Sequence, residues 1–140
     1  MNLANLPTAE PLLGAQTVAD AMHHGIVTCP PSATLREVAE LLAENGVHCA
    51  VVAEPGEDGP PAVWGIVSDI ELMRGLGSPV ALTAGNLAAL DVVTIRPDEQ
   101  LGRAAQLLGE HDIAHLIVVE GGAPVGILST LDIAKAVART

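Results

Sequence analysis

The sequence predicts a mixed α/β (α+β) fold in which one strand–helix–strand–strand–helix unit, βαββα, occurs twice. The first observation is an internal repeat, because residues 17–54 align without a gap with residues 83–120, at a constant offset of 83 − 17 = 66 in residue number. Eleven of the 38 aligned pairs are identical, against about three expected from residue frequencies. The second observation is that Gly65–Ser68 matches Gly126–Ser129 at an offset of 126 − 65 = 61, which leaves five extra residues in the turn-forming stretch 55–61.

The predicted elements follow the same order in both copies. Thr17 and Thr83 each open a copy as the N-cap of a short helical turn. A short extended run and a proline come next, followed by an amphipathic helix for which Ser32 and Asp98 are the predicted N-caps. Two β-branched strands and a closing helix complete the copy, and the near-continuous apolar strands indicate burial on both faces. The apolar positions of the two amphipathic helices are Leu35, Val38, Leu41 and Leu42, and Leu101, Ala104, Leu107 and Leu108.

The repeats predict the domain organisation. We expect an N-terminal arm over residues 1–16, a first repeat over 17–78 and a second repeat over 83–140. The arm contains two prolines and a glycine and has no counterpart in the second copy, so its degree of order is open.

The composition excludes several classes of partner. A net charge of −11, from 17 acidic against 6 basic residues, argues against nucleic acid and against anionic membrane surfaces. No apolar run is long enough to span a membrane, and the N-terminus lacks the basic-then-apolar pattern of a secretory signal. Cys29 and Cys49 do not form a disulfide framework, so we expect a cytoplasmic protein with both thiols reduced and buried. A redox-sensing pair is the alternative to two buried apolar side chains in contact.

The histidines raise a metal hypothesis that their spacing does not favour. His23 and His24 are adjacent, as are His48 and Cys49, whereas zinc ligands are usually separated by two to five residues. Neighbouring strand residues point to opposite faces, so such pairs converge poorly. We therefore expect no metal and no cofactor. No serine–histidine–aspartate order, glycine-rich phosphate loop or carboxylate pair indicates catalysis, and we expect no enzymatic activity.

One motif with possible binding chemistry, Gly-apolar-apolar-Ser-x-x-acid, occurs at the start of both closing helices as Gly65–Glu71 and Gly126–Asp132. Ser-x-x-acid is a capping box, and helix capping alone would be enough to account for the motif. The same geometry also suits a nucleotide, because the first N–H groups and the dipole of a helix attract phosphate. A carboxylate one turn later can accept hydrogen bonds from ribose hydroxyls. Both interpretations stay open at this point.

The duplicated unit resembles a cystathionine-β-synthase (CBS) domain, and the pair resembles a Bateman module, over residues 17–140. The resemblance lies in the order of several segments: Val-Val-Thr followed by a proline, Gly-Val-His-Cys-Ala-Val-Val, Asp-Ile-Ala-His-Leu-Ile-Val-Val, and Gly-Ile-Val-Ser and Gly-Ile-Leu-Ser with their acids. It implies two βαββα units related by a pseudo-twofold axis, assembled as a homodimer. It also implies an adenosine-containing ligand (AMP, ADP, ATP or S-adenosylmethionine) bound in clefts between the units.

In the family, each cleft combines the Ser-x-x-acid end of one unit with the first strand and the helix-to-strand junction of the other. The resemblance implies that Asp132 holds the ribose, that Ser129 binds the phosphate or the ribose edge, and that the backbone near Thr28 and Ala50 contacts adenine. In the second cleft Glu71 stands where the family prefers aspartate, so weaker binding is expected. The main cleft comprises Ile26, Val27, Thr28, His48, Cys49, Ala50, Ile127, Ser129 and Asp132. The second cleft comprises Ile66, Ser68, Glu71, Val92, Val93, Thr94, Ala114, His115 and Leu116.

Two functions remain open. The first is a regulatory module that responds to its ligand and acts through an unknown effector protein or through the dimer. The second is a structural dimerisation module with non-functional clefts. The closing helices carry more apolar residues than one buried face needs, which favours a homodimer in either case. Because a triphosphate needs several cations, the six basic residues favour a ligand with few phosphates or a neutral to cationic adenosyl group.

Overall fold

The structure is a computed structural model that describes residues 10–59, 61–88 and 92–140. These residues form two compact units. Unit 1 combines the residues up to His24 with Val93–Thr140, and unit 2 comprises Gly25–Val92. The boundaries of the units differ from those of the sequence repeats, because the opening segment of the first repeat belongs to the unit formed by the second.

The elements appear in the predicted order, so the duplicated βαββα architecture is confirmed. The two amphipathic helices start at Leu35 and Leu101, which are paired positions in the alignment of the two copies. The stretch 55–61 connects the two strands of the first hairpin, as predicted. In chain order the elements are α1 (Glu10–Leu13), α2 (Val18–Ala21), β1 (His23–His24), β2 (Thr28–Cys29), α3 (Leu35–Asn45), β3 (Cys49–Glu54), β4 (Ala62–Ser68), α4 (Asp69–Leu76), α5 (Ala84–Leu87), β5 (Thr94–Ile95), α6 (Leu101–His111), β6 (His115–Glu120), β7 (Ala123–Ser129) and α7 (Thr130–Ala138).

Unit 1 contains a four-stranded sheet in the order β1-β7-β6-β5. β5 runs parallel to β6, β6 and β7 form an antiparallel hairpin, and β1 pairs antiparallel with the other side of β7. The hairpin turns at Gly121 and Gly122, whose φ values of 60° and 78° are those of a type I′ turn. Its apolar core is formed by Leu13, Val18, Met22, Ile95, Leu101, Ala104, Leu108, Leu116, Val118, Leu128 and Ala136.

The segment before Gly25 is an integral part of unit 1. Leu13 is 1% exposed and Val18 is fully buried, both in the core of unit 1. The N–H of Val18 donates to the carbonyl of Glu99 (2.9 Å), and the N–H of Leu101 donates to the carbonyl of Gln16 (2.9 Å). Residues 1–9 of the predicted arm lie outside the described residues, but its remaining part is anchored to the core of the second repeat.

Unit 2 repeats this arrangement with a sheet in the order β2-β3-β4. β2 runs parallel to β3, with Thr28 opposite Val51, and β3 and β4 are antiparallel. Helix α5, which opens the second repeat, packs here, since the N–H of Ala84 donates to the carbonyl of Ala33 (2.8 Å). The core comprises Cys29, Ala33, Val38, Leu42, Ala50, Val52, Val67, Leu72, Ala84 and Ala88.

The helix caps partly match the sequence predictions. Thr17 and Thr83 are the N-caps of α2 and α5, as predicted. Ser32 and Asp98 are not the N-caps of the amphipathic helices, because the caps of α3 and α6 lie two positions later, at Thr34 and Gln100. Thr34 accepts a hydrogen bond from the N–H of Glu37 at 3.1 Å, which satisfies an otherwise free helix donor. Asp98 instead binds the neighbouring guanidinium of Arg96.

Candidate functional site

In unit 1 the binding motifs of the second repeat meet at one end of the sheet. His115, the first residue of β6, lies opposite Ser129, the last residue of β7. The N–H of Thr130 donates to the carbonyl of Ala114 at 3.0 Å, and the N–H of Ile117 donates to the carbonyl of Val93 at 3.1 Å. Main-chain hydrogen bonds therefore hold the first strand, the helix-to-strand junction and the motif serine close together.

The start of α7 forms a reciprocal capping box. The Ser129 hydroxyl oxygen accepts the N–H of Asp132 at 3.1 Å, and Asp132 Oδ2 accepts the N–H of Ser129 at 2.8 Å. Both residues are half-buried. Because the serine oxygen acts as the acceptor, its O–H proton is available to a ligand. No described residue donates to Asp132 Oδ1, so the carboxylate also has an acceptor available.

In unit 2 the corresponding segments meet in the same way. Cys49 lies opposite Ser68 in the register of β3 and β4. The N–H of Asp69 donates to the carbonyl of His48 at 2.9 Å, and the N–H of Val51 donates to the carbonyl of Val27 at 2.8 Å. The two units thus hold equivalent backbone frames around their motif serines.

The start of α4 differs from that of α7 in how the serine is used. The N–H of Ser68 donates to Glu71 Oε2 at 3.0 Å, and its hydroxyl donates to the same oxygen. Ser68 is only 7% exposed. The hydroxyl proton is already used within the motif, and one oxygen of the glutamate already accepts two hydrogen bonds. The unit 2 motif therefore offers a ligand fewer unused groups.

Asp69 is a polar residue at this end of unit 2 that the sequence reasoning missed. Its Oδ2 lies 3.0 Å from Nδ1 of His48, in a pair whose side chains are 52% and 77% exposed. The sequence signal was an acidic residue in the first turn of a helix, where carboxylates are favoured. This surface pair fixes the direction of the His48 ring beside the helix start.

The two cysteines are free and buried, as predicted. They are not the redox pair considered above, nor do they touch, because Cys29 pairs with Val52, three residues beyond Cys49 on the parallel strand. Three residues correspond to about 10 Å of strand, beyond the span of a disulfide. Burial raises the pKa of the Cys29 thiol, with a further contribution from Glu37. Burial, with the charges of Asp69 and Glu71, raises the pKa of Cys49 to about 11.

The residues assigned to each cleft are divided between the two units. Of the main set, Ile127, Ser129 and Asp132 belong to unit 1, whereas the residues in 26–28 and 48–50 belong to unit 2. Of the second set, Ile66, Ser68, Glu71 and Val92 belong to unit 2, and Val93, Thr94, Ala114, His115 and Leu116 belong to unit 1. Several of these side chains are buried, with exposures of 1% for Ala50, 8% for Ile66 and 0% for Leu116. Such residues can offer a ligand little more than their backbone.

Within residues 10–59, 61–88 and 92–140, no group of three or more histidine, cysteine or acidic side chains is arranged to hold a metal ion. In the same ranges no helix is long and apolar enough to cross a membrane.

Curated relatives match most of this chain. A homoserine O-acetyltransferase of Methanohalophilus mahii is 33% identical over 129 residues, which cover 91% of this chain but 26% of that protein. The CBS domain-containing protein YhcV of Bacillus subtilis is 26% identical over 121 residues, which cover 84% of this chain and 83% of that protein. The chain thus spans about a quarter of the acetyltransferase and most of the smaller protein.

Solved structures share the fold. The CBS domain pair of protein MJ0100, solved with 5′-methylthioadenosine and S-adenosyl-L-methionine, superposes with a TM-score of 0.79 at 20% identity, covering 90% of this chain and 98% of that chain. CBSX2 in complex with AMP has a TM-score of 0.71 at 25% identity, covering 88% of this chain and 96% of that chain. The family model for the CBS domain matches residues 18–78 and 84–139. The chain therefore belongs to the CBS domain family.

Proposed function

We propose that this chain is a regulatory module that binds an adenosine-containing ligand, with the ribose held by Asp132 and the phosphate or ribose edge bound by Ser129. The observation that carries the proposal is the capping box of α7, in which the Ser129 O–H and Asp132 Oδ1 are unused among the described residues. The AMP complex of CBSX2, at 25% identity, supports this ligand class.

The chemistry of the α7 start fits a ribose and a phosphate. A carboxylate oxygen can accept a ribose hydroxyl in a charge-assisted hydrogen bond, which is about twice as strong as a neutral one. The first N–H groups of a nine-residue helix add a positive dipole end for a phosphate. The adenine contacts assigned to the backbone near Thr28 and Ala50 remain part of the proposal.

The Ser68–Glu71 motif of unit 2 is proposed to bind more weakly. Its serine proton and one glutamate oxygen already satisfy each other. Ser68 is also 7% exposed, whereas Ser129 is half-buried, so the Ser68 hydroxyl is less accessible to a ligand. The longer glutamate side chain also loses more rotamer freedom when it is held in place.

Homodimer formation belongs to the same proposal. On α4, Ile70, Met73 and Leu76 are 59%, 58% and 61% exposed, and their spacing of three residues places them along one stripe. On α7, Leu131 is 54% exposed. Exposed apolar groups of this kind mark contact surfaces, and a second copy of the chain is the proposed partner. Light scattering should give the mass of two chains, and Met73→Glu should give a monomer while Val63→Glu, outside the stripe, should not.

The module is proposed to be regulatory and not catalytic, and to act in the cytoplasm on an effector protein. The free thiols of Cys29 and Cys49 support a reducing compartment. The same apolar stripe on α4 favours the second candidate function, a dimerisation module whose clefts bind nothing. The two candidates differ in whether an adenosyl compound binds, so ligand binding is the decisive measurement.

The experiment is a thermal-shift and calorimetry series with AMP, ADP, ATP, S-adenosylmethionine and adenosine, with GMP as the control. A ligand that binds the native state alone stabilises it by about 2.7 kcal/mol at a hundred times its Kd. We expect AMP or S-adenosylmethionine to raise the Tm and GMP to leave it unchanged. If no adenosine compound raises the Tm or releases heat, the sensing proposal is wrong and the dimerisation function replaces it.

A further inference from the structure

Unit 1 carries a groove that the adenosyl proposal does not use. It is open to the surface, has a volume of about 480 Å³, and is lined by the segment after β5, by α6 and by the turn between β6 and β7. The groove reaches Glu120, at the end of β6, whereas the capping motif lies beside His115, at its start. Five residues of strand correspond to about 16 Å, so the groove is a separate place on the unit.

One side of the groove is rich in carboxylates. Arg96 donates from Nε to Asp98 Oδ1 at 3.0 Å and from Nη2 to Asp98 Oδ2 at 3.3 Å. The hydrogen bond and charge of Asp98 raise the pKa of Arg96, and the charges of Glu120 and Glu99 raise it further. The lining of the groove thus holds the carboxylates of Glu99 and Glu120, beside a guanidinium that is already paired with Asp98, a residue outside the lining.

The other cation of the groove, Arg103, has a neutral partner. Its Nη1 donates to Oε1 of Gln106 at 3.1 Å, and Gln106 in turn donates to Glu110 at 2.7 Å. No described carboxylate forms an ion pair with Arg103. Its guanidinium therefore keeps donors for a ligand carboxylate, a group that it can bind in a bidentate manner.

The wall between these charges is aliphatic. Ile95 is 7% exposed, and the half-buried side chains of Leu107 and Val119 complete the apolar lining. The lining contains no aromatic side chain. The volume of the groove is within the range of small-molecule sites, about 300–1,000 Å³.

We propose that this groove binds a free aliphatic α-amino acid, with the carboxylate on Arg103, the ammonium beside Glu99 and Glu120, and the side chain against Ile95, Leu107 and Val119. A ligand that carries only a negative charge would be repelled by Glu99 and Glu120. A ligand that carries only a positive charge would have no carboxylate for Arg103 to bind. A zwitterion with an apolar body satisfies both charges and the aliphatic wall. The site does not depend on the proposed adenosyl ligand.

The duplication provides an internal comparison, because unit 2 lacks the charge pattern of the groove. In the alignment of the two copies, the position of Arg96 is held by Pro30 and that of Arg103 by Glu37. The position of Glu120 is held by Glu54. The two guanidiniums therefore distinguish the second copy, and the first copy supplies control positions for the substitutions.

The test is an NMR titration of the ¹⁵N-labelled chain with L-leucine, followed at the amides of Gly121 and Gly122. We expect saturable shifts there, with 4-methylpentanoate and isoamylamine each binding at least about fivefold more weakly because each lacks one charge. Arg103→Gln and Glu120→Gln should each weaken L-leucine binding about fivefold or more. The controls, both in unit 2, are Glu54→Gln at the position aligned with Glu120 and Arg36→Gln, which is next to the position aligned with Arg103. Both should bind as the wild type does.

Melting curves of all four variants distinguish lost binding from lost folding. Wild-type melting with weakened binding in Arg103→Gln and Glu120→Gln supports the site. The proposal is overturned if L-leucine leaves the Gly121 and Gly122 amides unshifted. It is also overturned if a folded Arg103→Gln binds L-leucine as tightly as the wild type, or if isoamylamine alone binds as tightly as L-leucine.

Discussion

The starts of α4 and α7 are the same motif put to different use. In α7 the Ser129 oxygen accepts a helix N–H, and its proton is available. In α4 the Ser68 proton is donated to Glu71, whose side chain is one methylene longer than that of Asp132. The comparison teaches that a shared capping sequence does not make two equivalent ligand sites, because the burial of the serine and the length of the acidic side chain decide what the helix start can offer.

The two units also differ in their thiols. Both cysteines belong to unit 2, and the positions aligned with them in the second copy, both in unit 1, are Ile95 and His115. Sensitivity to alkaline pH through a thiol is therefore a property of unit 2. In contrast, unit 1 is the unit that carries the guanidinium groove.

The largest effect should come from Gly126→Ala, which tests whether the first repeat completes unit 1. A Cβ at Gly126 would lie 2.5 Å from the carbonyl oxygen of His23 and would also clash with the Met22 side chain. Because the backbone of β1 must move, we expect the free energy of unfolding to fall by about 2–3 kcal/mol, in the range of overpacked cores. Urea unfolding measures it.

The matched control for this substitution is Gly109→Ala on α6. No atom lies within 4 Å of a Cβ placed there, and alanine is favoured over glycine in a helix by about 1 kcal/mol. This variant should be as stable as the wild type or more stable. A Gly126→Ala protein of wild-type stability would mean that β1 does not pack on β7.

The second prediction concerns Cys49, the thiol in unit 2 that should make the free energy of unfolding sensitive to alkaline pH. Its pKa is about 11 in the folded chain against a reference of 9.0, so the folded state holds the proton more tightly than the unfolded state. This contribution is fully present below pH 9 and is lost as the pH rises through 11. It amounts to about 2–3 kcal/mol, at 1.36 kcal/mol per pKa unit.

Chemical unfolding at pH 8, 9, 10 and 11 measures this contribution. The free energy of unfolding of the wild type should fall more steeply above pH 9 than that of Cys49→Ala, which has no thiol at this position. Equal slopes in the two proteins would contradict the raised pKa.

The third effect is on ligand affinity and directly compares the two motifs. Asp132→Ala removes hydrogen bonds to the ribose worth about 1.5–3 kcal/mol each, and the affinity for AMP should fall at least tenfold, at about 1.4 kcal/mol per decade. Glu71→Ala should change it by less than about threefold. Calorimetry measures both, and melting curves of the ligand-free variants isolate the capping contribution. Equal losses in the two variants would remove the distinction between the motifs.

The smallest effect concerns the surface pair of His48 and Asp69, whose counterparts in unit 1 are Ala114 and Thr130. Exposed ion pairs contribute about 0–1 kcal/mol. We expect His48→Gln and Asp69→Asn each to shift the free energy of unfolding at pH 6 by less than about 0.5 kcal/mol. A double-mutant cycle measures the coupling, and a value above about 1 kcal/mol would show that the pair is more than a surface contact.

The sequence predictions that depended on local patterns mostly succeeded, and those that depended on contacts between distant residues did not. The element order, the constant offset between the copies and the caps at Thr17 and Thr83 were predictable, because periodicity and local capping are written in neighbouring residues. The caps at Thr34 and Gln100 were missed, since the serine and the aspartate two positions earlier are at least as good caps by residue type, and glutamine is not a favoured cap at all. The separation of Cys29 from Cys49 depended on the register of β2 against β3, which sequence spacing does not specify.

The sequence by itself determined that one βαββα unit occurs twice, that the strand after each amphipathic helix, β3 or β6, is mostly buried, and that each copy ends in a Ser-x-x-acid helix start. The tertiary structure decided which segment completes which unit, because Leu13 and Val18 gain burial only against the core of the second repeat. It also decided that Ser68 is buried while Ser129 is half-buried, and it brought Arg96, Arg103 and Glu120 together on one groove. These features arise from contacts between residues far apart in the chain, and local sequence patterns do not predict such contacts.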